Sequence, residues 1–496
     1  MEVFEMILYG LLNVLRPENL IFLAAGTLLG LVLGVIPGLT ATMAIGLIIP
    51  LTFHISATQS LIMLIAAYNA GTYGGSVTAI LLGTPGSPAA AATLADGFAL
   101  SKQGKAEKAI KAALFGSIIG KMFAGLLLIA IAQPLAQYAL LFGPAEYAVL
   151  MIFALTIIAS SAGDSLIKGL IGGCLGLLFG VVGMDTAFPI TRLTFGQLHF
   201  VSGINLIVML IGAMAFAEIL KQTETVRNRI GEQNLPSPKC KEDKQFTKSD
   251  LKDSWRGWVK GCIVGGGLGA LPGLGPALAC WVGYDAAKRG SKKPEEFGKG
   301  SLEGIAGAET ATNAAASGSM IPLLSLGVPG DTGTALLIGA FLVQGLTPGP
   351  LVFQEAPQVV YNLFMSLFIS GFLLFAFALL LNKAFARVAR VQSSLIFPYV
   401  CVFSAIGVYA FNRSLFDIWV MIAFSILGYV MMKLKFPIVT MLIGFILSPI
   451  FENNARRALQ LSFGDFGVFF SSPLTITFWI LTFVSMFFIL RRRKKS

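Results

Sequence analysis

Apolar positions dominate this chain, and polar positions gather in short clusters between long apolar runs. Phe115 to Ala132, Leu363 to Leu381 and Leu474 to Leu490 are runs of bilayer-spanning length. The pattern predicts spanning helices near residues 110–133, 147–163, 165–184, 203–220, 358–381, 395–411, 414–432, 437–451 and 473–490. Two further crossings, near 60–100 and 303–343, are interrupted by glycine and proline. The segments 20–52 and 257–286 are each broken in the middle, at Pro37-Gly38 and at Pro272-Gly273. Their arms are about 12–16 residues, short of the roughly 20 that a full crossing needs. Each segment therefore reads as a re-entrant helical hairpin with its tip inward, or as two tilted, shortened helices. The fold class that follows is an all-α integral membrane protein with about 10–12 membrane-embedded segments.

The interrupted segments recur. Asn69-Ala-Gly-Thr-Tyr-Gly74 leads through eight residues to Gly83-Thr-Pro85-Gly86, and Asn313-Ala-Ala-Ala-Ser-Gly318 leads through eight residues to Gly327-Val-Pro329-Gly330. Upstream, Gly30-Leu-Val-Leu-Gly34-Val-Ile-Pro37-Gly38-Leu39 is answered by Gly265-Gly-Gly-Leu-Gly269-Ala-Leu-Pro272-Gly273-Leu274. This divides the chain into a first membrane repeat at 1–220, a basic linker at 221–256 and a second membrane repeat at 257–496. Charge orients the repeats. In the first, residues 53–59 between the two broken elements carry no Lys or Arg, and Lys102, Lys105, Lys108 and Lys111 follow the second element. In the second, Lys288, Arg289, Lys292, Lys293 and Lys299 lie between the elements, and residues 344–358 after them carry none. Because cytoplasmic loops collect Lys and Arg, the two repeats are expected upside down relative to one another, an inverted repeat with broken helices. The same rule puts the N-terminus outside and both the linker and the C-terminus, which carries Arg491 to Lys495, in the cytoplasm.

Composition narrows the function classes. The chain is 55% hydrophobic and 12% charged, with a mean hydropathy of +0.79, which fits a membrane protein and not a soluble one of 496 residues. Its net charge of +11 sits in the loop blocks, so it marks topology and not a nucleic-acid surface. The start, Met1 to Leu15, lacks the basic region and cleavage site of a signal peptide and reads as a short amphipathic apolar segment. The cysteines Cys174, Cys240, Cys262, Cys280 and Cys401 lack metal-ligand spacing. Enzyme motifs are absent. Gly116-Ser-Ile-Ile-Gly120-Lys121 is one residue short of a phosphate-binding loop, lacks its Ser/Thr and lies in a predicted span. With two histidines, His54 and His199, both in predicted outer loops, no Ser/His/Asp arrangement can be drawn. No cofactor or metal is expected.

The breaks carry the candidate chemistry. Freed backbone amides at a half-helix start point a positive dipole end at the gap, which suits a carboxylate. The expected substrate-binding residues are Pro37, Gly38, Asn69, Thr72, Gly74, Gly75, Ser76, Thr84, Pro85, Gly86, Pro272, Gly273, Asn313, Ser317, Gly318, Pro329 and Gly330. Glu309, four residues before Asn313 and so on the same helical face, and Asp331 are the candidates for coupling to a cation, H+ or Na+. Other features have plainer readings. The glycines at four-residue spacing, Gly26, Gly30 and Gly34 and again Gly172, Gly176 and Gly180, read as helix packing. Lys121 reads as a packed or snorkelling lysine. Asp96 reads as a cap or anchor for the surface helix that leads to Lys102, and Asp164, Asp185, Glu218, Asp285 and Asp417 as interfacial.

The two Pro-Gly-Leu elements, Tyr73-Gly-Gly75 through Gly83-x-Pro-Gly86, the following Asp96-Gly97, and Asn313 through Gly327-x-Pro-Gly330 to Gly345-x-x-Pro-Gly-Pro350 resemble the large membrane subunit of tripartite tricarboxylate transporters, the TctA family. The resemblance runs from about residue 18 to 480, with specific motif order and spacing. The chain departs from it at Ala308-Glu309, where the family has Pro-Glu, and at Thr312-Asn313, where it has a paired Asn. The resemblance implies a small four-helix membrane subunit and a soluble periplasmic solute-binding protein as partners. It also implies import of a carboxylate across a bacterial inner membrane on an ion gradient. A stand-alone ion-coupled anion symporter and a channel are the alternatives.

Overall fold

Nearly every apolar run of the sequence forms a helix in the computed structural model, which describes residues 3–161, 165–185, 188–226, 245–388 and 393–493. Asp164, residues 227–244 of the expected linker including Pro236, Pro238 and Cys240, and the basic Arg390, Lys494 and Lys495 lie outside the described residues. In chain order the helices begin with α1 (Val3–Val14), α2 (Pro17–Val35), α3 (Ala41–Ile48), α4 (Ala57–Leu82), α5 (Ala91–Lys102), α6 (Ala106–Ala139) and α7 (Pro144–Ser161). They continue with α8 (Leu166–Gly180), α9 (Leu206–Leu210), α10 (Ala217–Val226), α11 (Lys248–Gly269), α12 (Gly275–Arg289), α13 (Leu302–Gly318) and α14 (Met320–Leu326). The last are α15 (Thr332–Val343), α16 (Val352–Glu355), α17 (Pro357–Val388), α18 (Ser393–Asn412), α19 (Leu415–Lys433), α20 (Ile438–Leu461) and α21 (Pro473–Arg493). A π-helical turn, Ile211–Phe216, joins α9 to α10, and a two-residue antiparallel ladder pairs Gly183 with Arg192 and Met184 with Thr191. Among the described residues, five helices are long and apolar enough to cross a membrane: Pro17–Val35, Ala106–Ala139, Pro357–Leu381, Leu415–Lys433 and Ile438–Leu461. The protein is thus an all-α, multi-pass membrane protein.

The chain forms two compact units, Met1–Ala136 with Gln222–Phe403, and Gln137–Lys221 with Ser404–Ser496. This division differs from the sequence repeats, because the broken elements of both repeats fall in the first unit. Within it, α4 is buried from Ser60 to Leu81 and α13 from Gly304 to Gly318. A helix covered on every side needs no amphipathic face, which is why these two show none in the sequence. Their partners approach through glycine. A Cβ at Gly26, Gly30 or Gly34 of α2 would overlap the carbonyl oxygens of Met63, Ala67 and Gly71 on α4. On α11, a Cβ at Gly257 would lie 2.6 Å from the Glu303 carbonyl oxygen and one at Gly269 2.7 Å from that of Ala315, with Gly261 and Gly265 meeting α13 between them. Each ladder advances four residues at a time, the close-packing geometry of small residues in membranes.

The broken elements differ from expectation in arm length. The first arms are long, 19 residues in α2 and 22 in α11, while the return arms α3 and α12 have 8 and 15. Helix starts depend on caps and not on where apolar sequence begins. Pro17 opens α2 at its first turn, and a Thr247–Asp250 capping box opens α11 within the polar linker. The break after α4 and the break after α14 are alike: Gly83 and Gly327 close their helices in the left-handed region at φ +68° and +71°, which favours glycine.

In the second unit, Gly172, Gly176 and Gly180 of α8 pack against Thr440, Met441 and Ser448 of α20, the packing role read from their spacing. Asp185, read as interfacial, is the hub of an ion-pair cluster. Arg456 reaches it with both guanidinium nitrogens at 2.9 Å, and Arg192 lies at 3.3 Å while also pairing with Glu452. His199 stacks on Phe416 at a centroid distance of 4.6 Å.

Candidate functional site

Polar side chains converge where α4 and α13 are most deeply buried. Asn69 and Asn313 sit at corresponding places on these helices and make the same local bond. The Asn69 amide nitrogen donates to the Ile65 carbonyl at 3.0 Å, and that of Asn313 to the Glu309 carbonyl at 3.0 Å, each four residues back. The remaining amide groups differ. The Ser317 hydroxyl donates to Asn69 Oδ1 at 2.8 Å, linking the two helices. Asn313 also donates to the Ser117 hydroxyl at 2.9 Å, and its Oδ1 is buried without a partner among the described residues.

Glu309 is the centre of this layer and is fully buried. Thr93 of α5 donates to Oε1, and Ser117 of α6 donates to Oε2 at 3.1 Å. Ser76 of α4 also faces the carboxylate, outside hydrogen-bonding geometry. No cation is in ion-pair contact with it among the described residues. A buried carboxylate held by neutral groups alone is costly as a bare anion, which suits a group that takes up and releases H+ or a metal cation.

A second cluster joins the Pro-Gly breaks of the second repeat. The Gly273 amide donates to the Gly330 carbonyl at 2.8 Å, and a Cβ at Gly275 would lie 2.9 Å from Asp331 Cβ. Asp331 caps α15, accepting from the Thr334 amide at 2.8 Å, and takes a hydrogen bond from Tyr68 of α4. In the first repeat the Gly86 amide donates to the Gly75 carbonyl at 3.2 Å, and Gly330 sits against Ser319 in the same manner. Gly74 packs on Gly34 as Gly318 packs on Gly269.

The expected residues therefore divide. Asn69, Ser76, Ser317, Glu309 and Asn313 come together; so do Pro272, Gly273, Pro329, Gly330 and Asp331, which are buried or half-buried. Thr72 spends its hydroxyl on the Tyr68 carbonyl at 2.9 Å. Pro37, Gly38 and Thr84 are half-buried and Pro85 is exposed. The amides of Gly86, Gly273 and Thr334, which sequence left free to face an anion, are bonded inside the protein. Tyr68, Thr93 and Ser117 were missed. The signal for Ser117 was present, since it stands between Gly116 and Gly120. Those glycines serve close approach to α13, a Cβ at Gly116 meeting Glu309 Cβ at 3.0 Å, and have nothing to do with phosphate.

Asp96 does more than anchor a surface helix. It is buried, and its Oδ1 accepts from the Gly298, Gly300 and Ser301 amides at 2.7, 2.9 and 2.9 Å, while Tyr284 donates to Oδ2 at 2.9 Å. It thus fixes the loop that starts α13 and so sets the depth of Glu309. Asp96→Ala is expected to leave these donors without their acceptor and cost about 3 kcal/mol or more. Thermal unfolding in detergent checks this, with a lowered midpoint expected and Asp96→Asn falling between.

The chain matches the family model described as "Tripartite tricarboxylate transporter TctA family" over residues 20–443. A protein of Agrobacterium vitis, described as an uncharacterized 52.8 kDa protein in the TAR-I ttuC' 3' region, is 38% identical over 96% of this chain and 93% of its own length. A second protein of that organism, from the TAR-II ttuC' 3' region, is 41% identical over 42% of this chain and 86% of its own length. No solved structure matches.

Proposed function

Since the chain belongs to the tripartite tricarboxylate transporter TctA family, we propose that it is the large transmembrane subunit of a secondary transporter that imports a di- or tricarboxylate anion on an H+ or Na+ gradient. The observation that carries this reading is Glu309, a fully buried carboxylate ringed by hydroxyls and an amide between the two asparagine helices. The paired contacts of the two halves support a repeat, whose inversion rests on the loop charges; the return arms α3 and α12, of 8 and 15 residues, are too short to cross alone, while α2 is long enough to do so. In this reading the chain lies in the bacterial inner membrane with its N-terminus outside. A periplasmic solute-binding protein delivers the carboxylate, and a small four-helix membrane subunit completes the assembly.

The cycle follows from the geometry. A cation, H+ or Na+, neutralises Glu309 from the outer side and removes the repulsion that an incoming anion meets. The anion then replaces its water with Asn69, Ser76, Asn313 and Ser317 and with the Pro-Gly amides as the breaks part. Movement of the breaks against α4 and α13 exposes the loaded site inward, where the cation leaves and Glu309 recovers its charge. Asp331 is the second candidate for the coupled cation, held by Tyr68 and Thr334.

Uptake of labelled citrate, succinate and malate by cells carrying the chain and both partners tests this. Asn69→Ala, Ser76→Ala and Asn313→Ala are each expected to reduce uptake about tenfold or more at unchanged membrane abundance, since each truncation unpairs or removes a buried polar group. Unchanged uptake in all three contradicts the site. Deleting the small subunit and binding protein separates the tripartite carrier, which then stops, from a stand-alone symporter, which continues.

A further inference from the structure

Among the described residues, Lys121 of α6 is the largest fully buried charged side chain, and its Nζ has no hydrogen-bond partner. Among the described residues no carboxylate is in ion-pair contact with it. Its full burial inside the protein differs from the exposed head group of a snorkelling lysine. Its place on the helix is specific. Ser117, one turn earlier, is bonded to Glu309 and Asn313. Gly116 abuts Glu309, and Gly120 abuts the Thr310 carbonyl and the Ala314 amide. The register between α6 and α13 thus sets Lys121 level with Ala314, on the turn of α13 that runs from Asn313 to Ser317. Across from it lies α17, where a Cβ at Gly371 would meet Lys121 Cδ at an ordinary contact distance of 3.6 Å.

We propose that Lys121 is the cationic group that pairs with a carboxylate of the transported anion in the loaded state. This rests on the carboxylate-transport reading above and adds to it the one positive charge the neutral asparagine and serine groups do not supply. An isolated buried ammonium is strongly disfavoured unless an anion joins it. Glu309, on the facing α13, is held by Thr93 and Ser117 and not by the lysine. Among the described residues the lysine is left without an anion. The unpartnered Asn313 Oδ1, on the facing helix, is an acceptor for a hydroxyl or a protonated carboxyl of the same ligand. Loading then sets one lysine charge against one substrate carboxylate, while a cation on Glu309 offsets the other buried charge.

The test compares Lys121→Met and Lys121→Arg in the full assembly at equal membrane abundance, with Lys121→Gln replacing Met should that variant fail to assemble. Probes are labelled citrate and its monomethyl ester, which lacks one carboxylate charge. The wild type is expected to prefer citrate, and Lys121→Met to raise the KM for citrate at least ~tenfold, the loss of a buried charge contact. Lys121→Met also narrows the citrate-to-ester preference, while Lys121→Arg keeps most of both. Equal citrate KM in Lys121→Met and wild type overturns the proposal. So does loss of uptake that Lys121→Arg fails to restore, because the requirement is then for shape and not charge. Wild-type cells that take up no carboxylate probe contradict the transport reading itself, a result distinct from either.

Discussion

Glu309→Gln is expected to abolish gradient-driven accumulation of the carboxylate, by about two orders of magnitude, while leaving the protein folded and able to exchange substrate. The substitution is close to isosteric. Thr93 can still donate to the side-chain oxygen, and the new amide can donate to the Ser117 hydroxyl. Asn313 keeps its bonds to Ser117 and to the Glu309 carbonyl and gives up only its long contact to Oε2 at 3.5 Å, which an amide nitrogen there cannot accept. What is lost is the ability to gain and lose a positive ion. Neutralising a buried group that cycles between charge states removes an interaction of about 3 kcal/mol, or two decades in rate. Glutamine mimics the cation-loaded carboxyl, so exchange of external for internal substrate persists where net uphill transport stops. Net uptake and counterflow measured on the same vesicles separate the two. Equal net uptake by Glu309→Gln and wild type rules Glu309 out as the coupling acid.

Gly265→Leu is expected to prevent assembly of a folded protein, whereas Gly267→Ala, two residues along the same helix, is expected to be neutral or mildly stabilising. A Cβ at Gly265 would overlap the Ala311 carbonyl and crowd Ala311 Cα and Ala314 Cβ, all on buried α13. Overpacking a core usually costs about 1–3 kcal/mol where side chains can shift. Here the obstacle is backbone, so the whole α11–α13 contact must separate. At Gly267 a Cβ meets nothing within 4 Å, and replacing glycine in a helix interior gains up to about 1 kcal/mol. The yield of monodisperse protein in detergent reads both. Similar behaviour of the two variants contradicts the α11–α13 packing.

The same glycine ladder shows what sequence could and could not reveal. The spacing of Gly26, Gly30 and Gly34 named a packing face but not its partner, since α4 carries no apolar stripe that singles out one side. The pairing of Asn69 with Asn313 was legible because both repeats keep the motif. Their different bonds were not, because Ser317 stands where the first repeat has Tyr73, and the consequence of that exchange is three-dimensional. Glu309 was visible as a charge four residues from Asn313. Its hydroxyl ring was hidden, because Thr93 and Ser117 lie some 200 residues away in helices that read as a surface segment and a plain span. Arm lengths went astray at α2 and α11 for a local reason: Pro17 and the Thr247–Asp250 box start these helices before the apolar run does. Lys121 reads as a packed or snorkelling lysine, and it is packed, fully buried. That its Nζ is buried without a hydrogen-bond partner among the described residues is a three-dimensional fact the sequence does not carry.

The proposed ion-coupled carboxylate import through the layer that holds Asn69, Glu309 and Asn313 is tested most directly by accumulation of labelled citrate, succinate and malate in proteoliposomes carrying the chain with its small membrane subunit, the binding protein outside, and an H+ or Na+ gradient imposed. At least one of these anions is expected to rise inside above its external concentration, and its uptake to saturate with substrate and to stop when an ionophore dissipates the gradient. Uptake that merely equilibrates whatever the gradient, or that grows linearly without saturation, contradicts it.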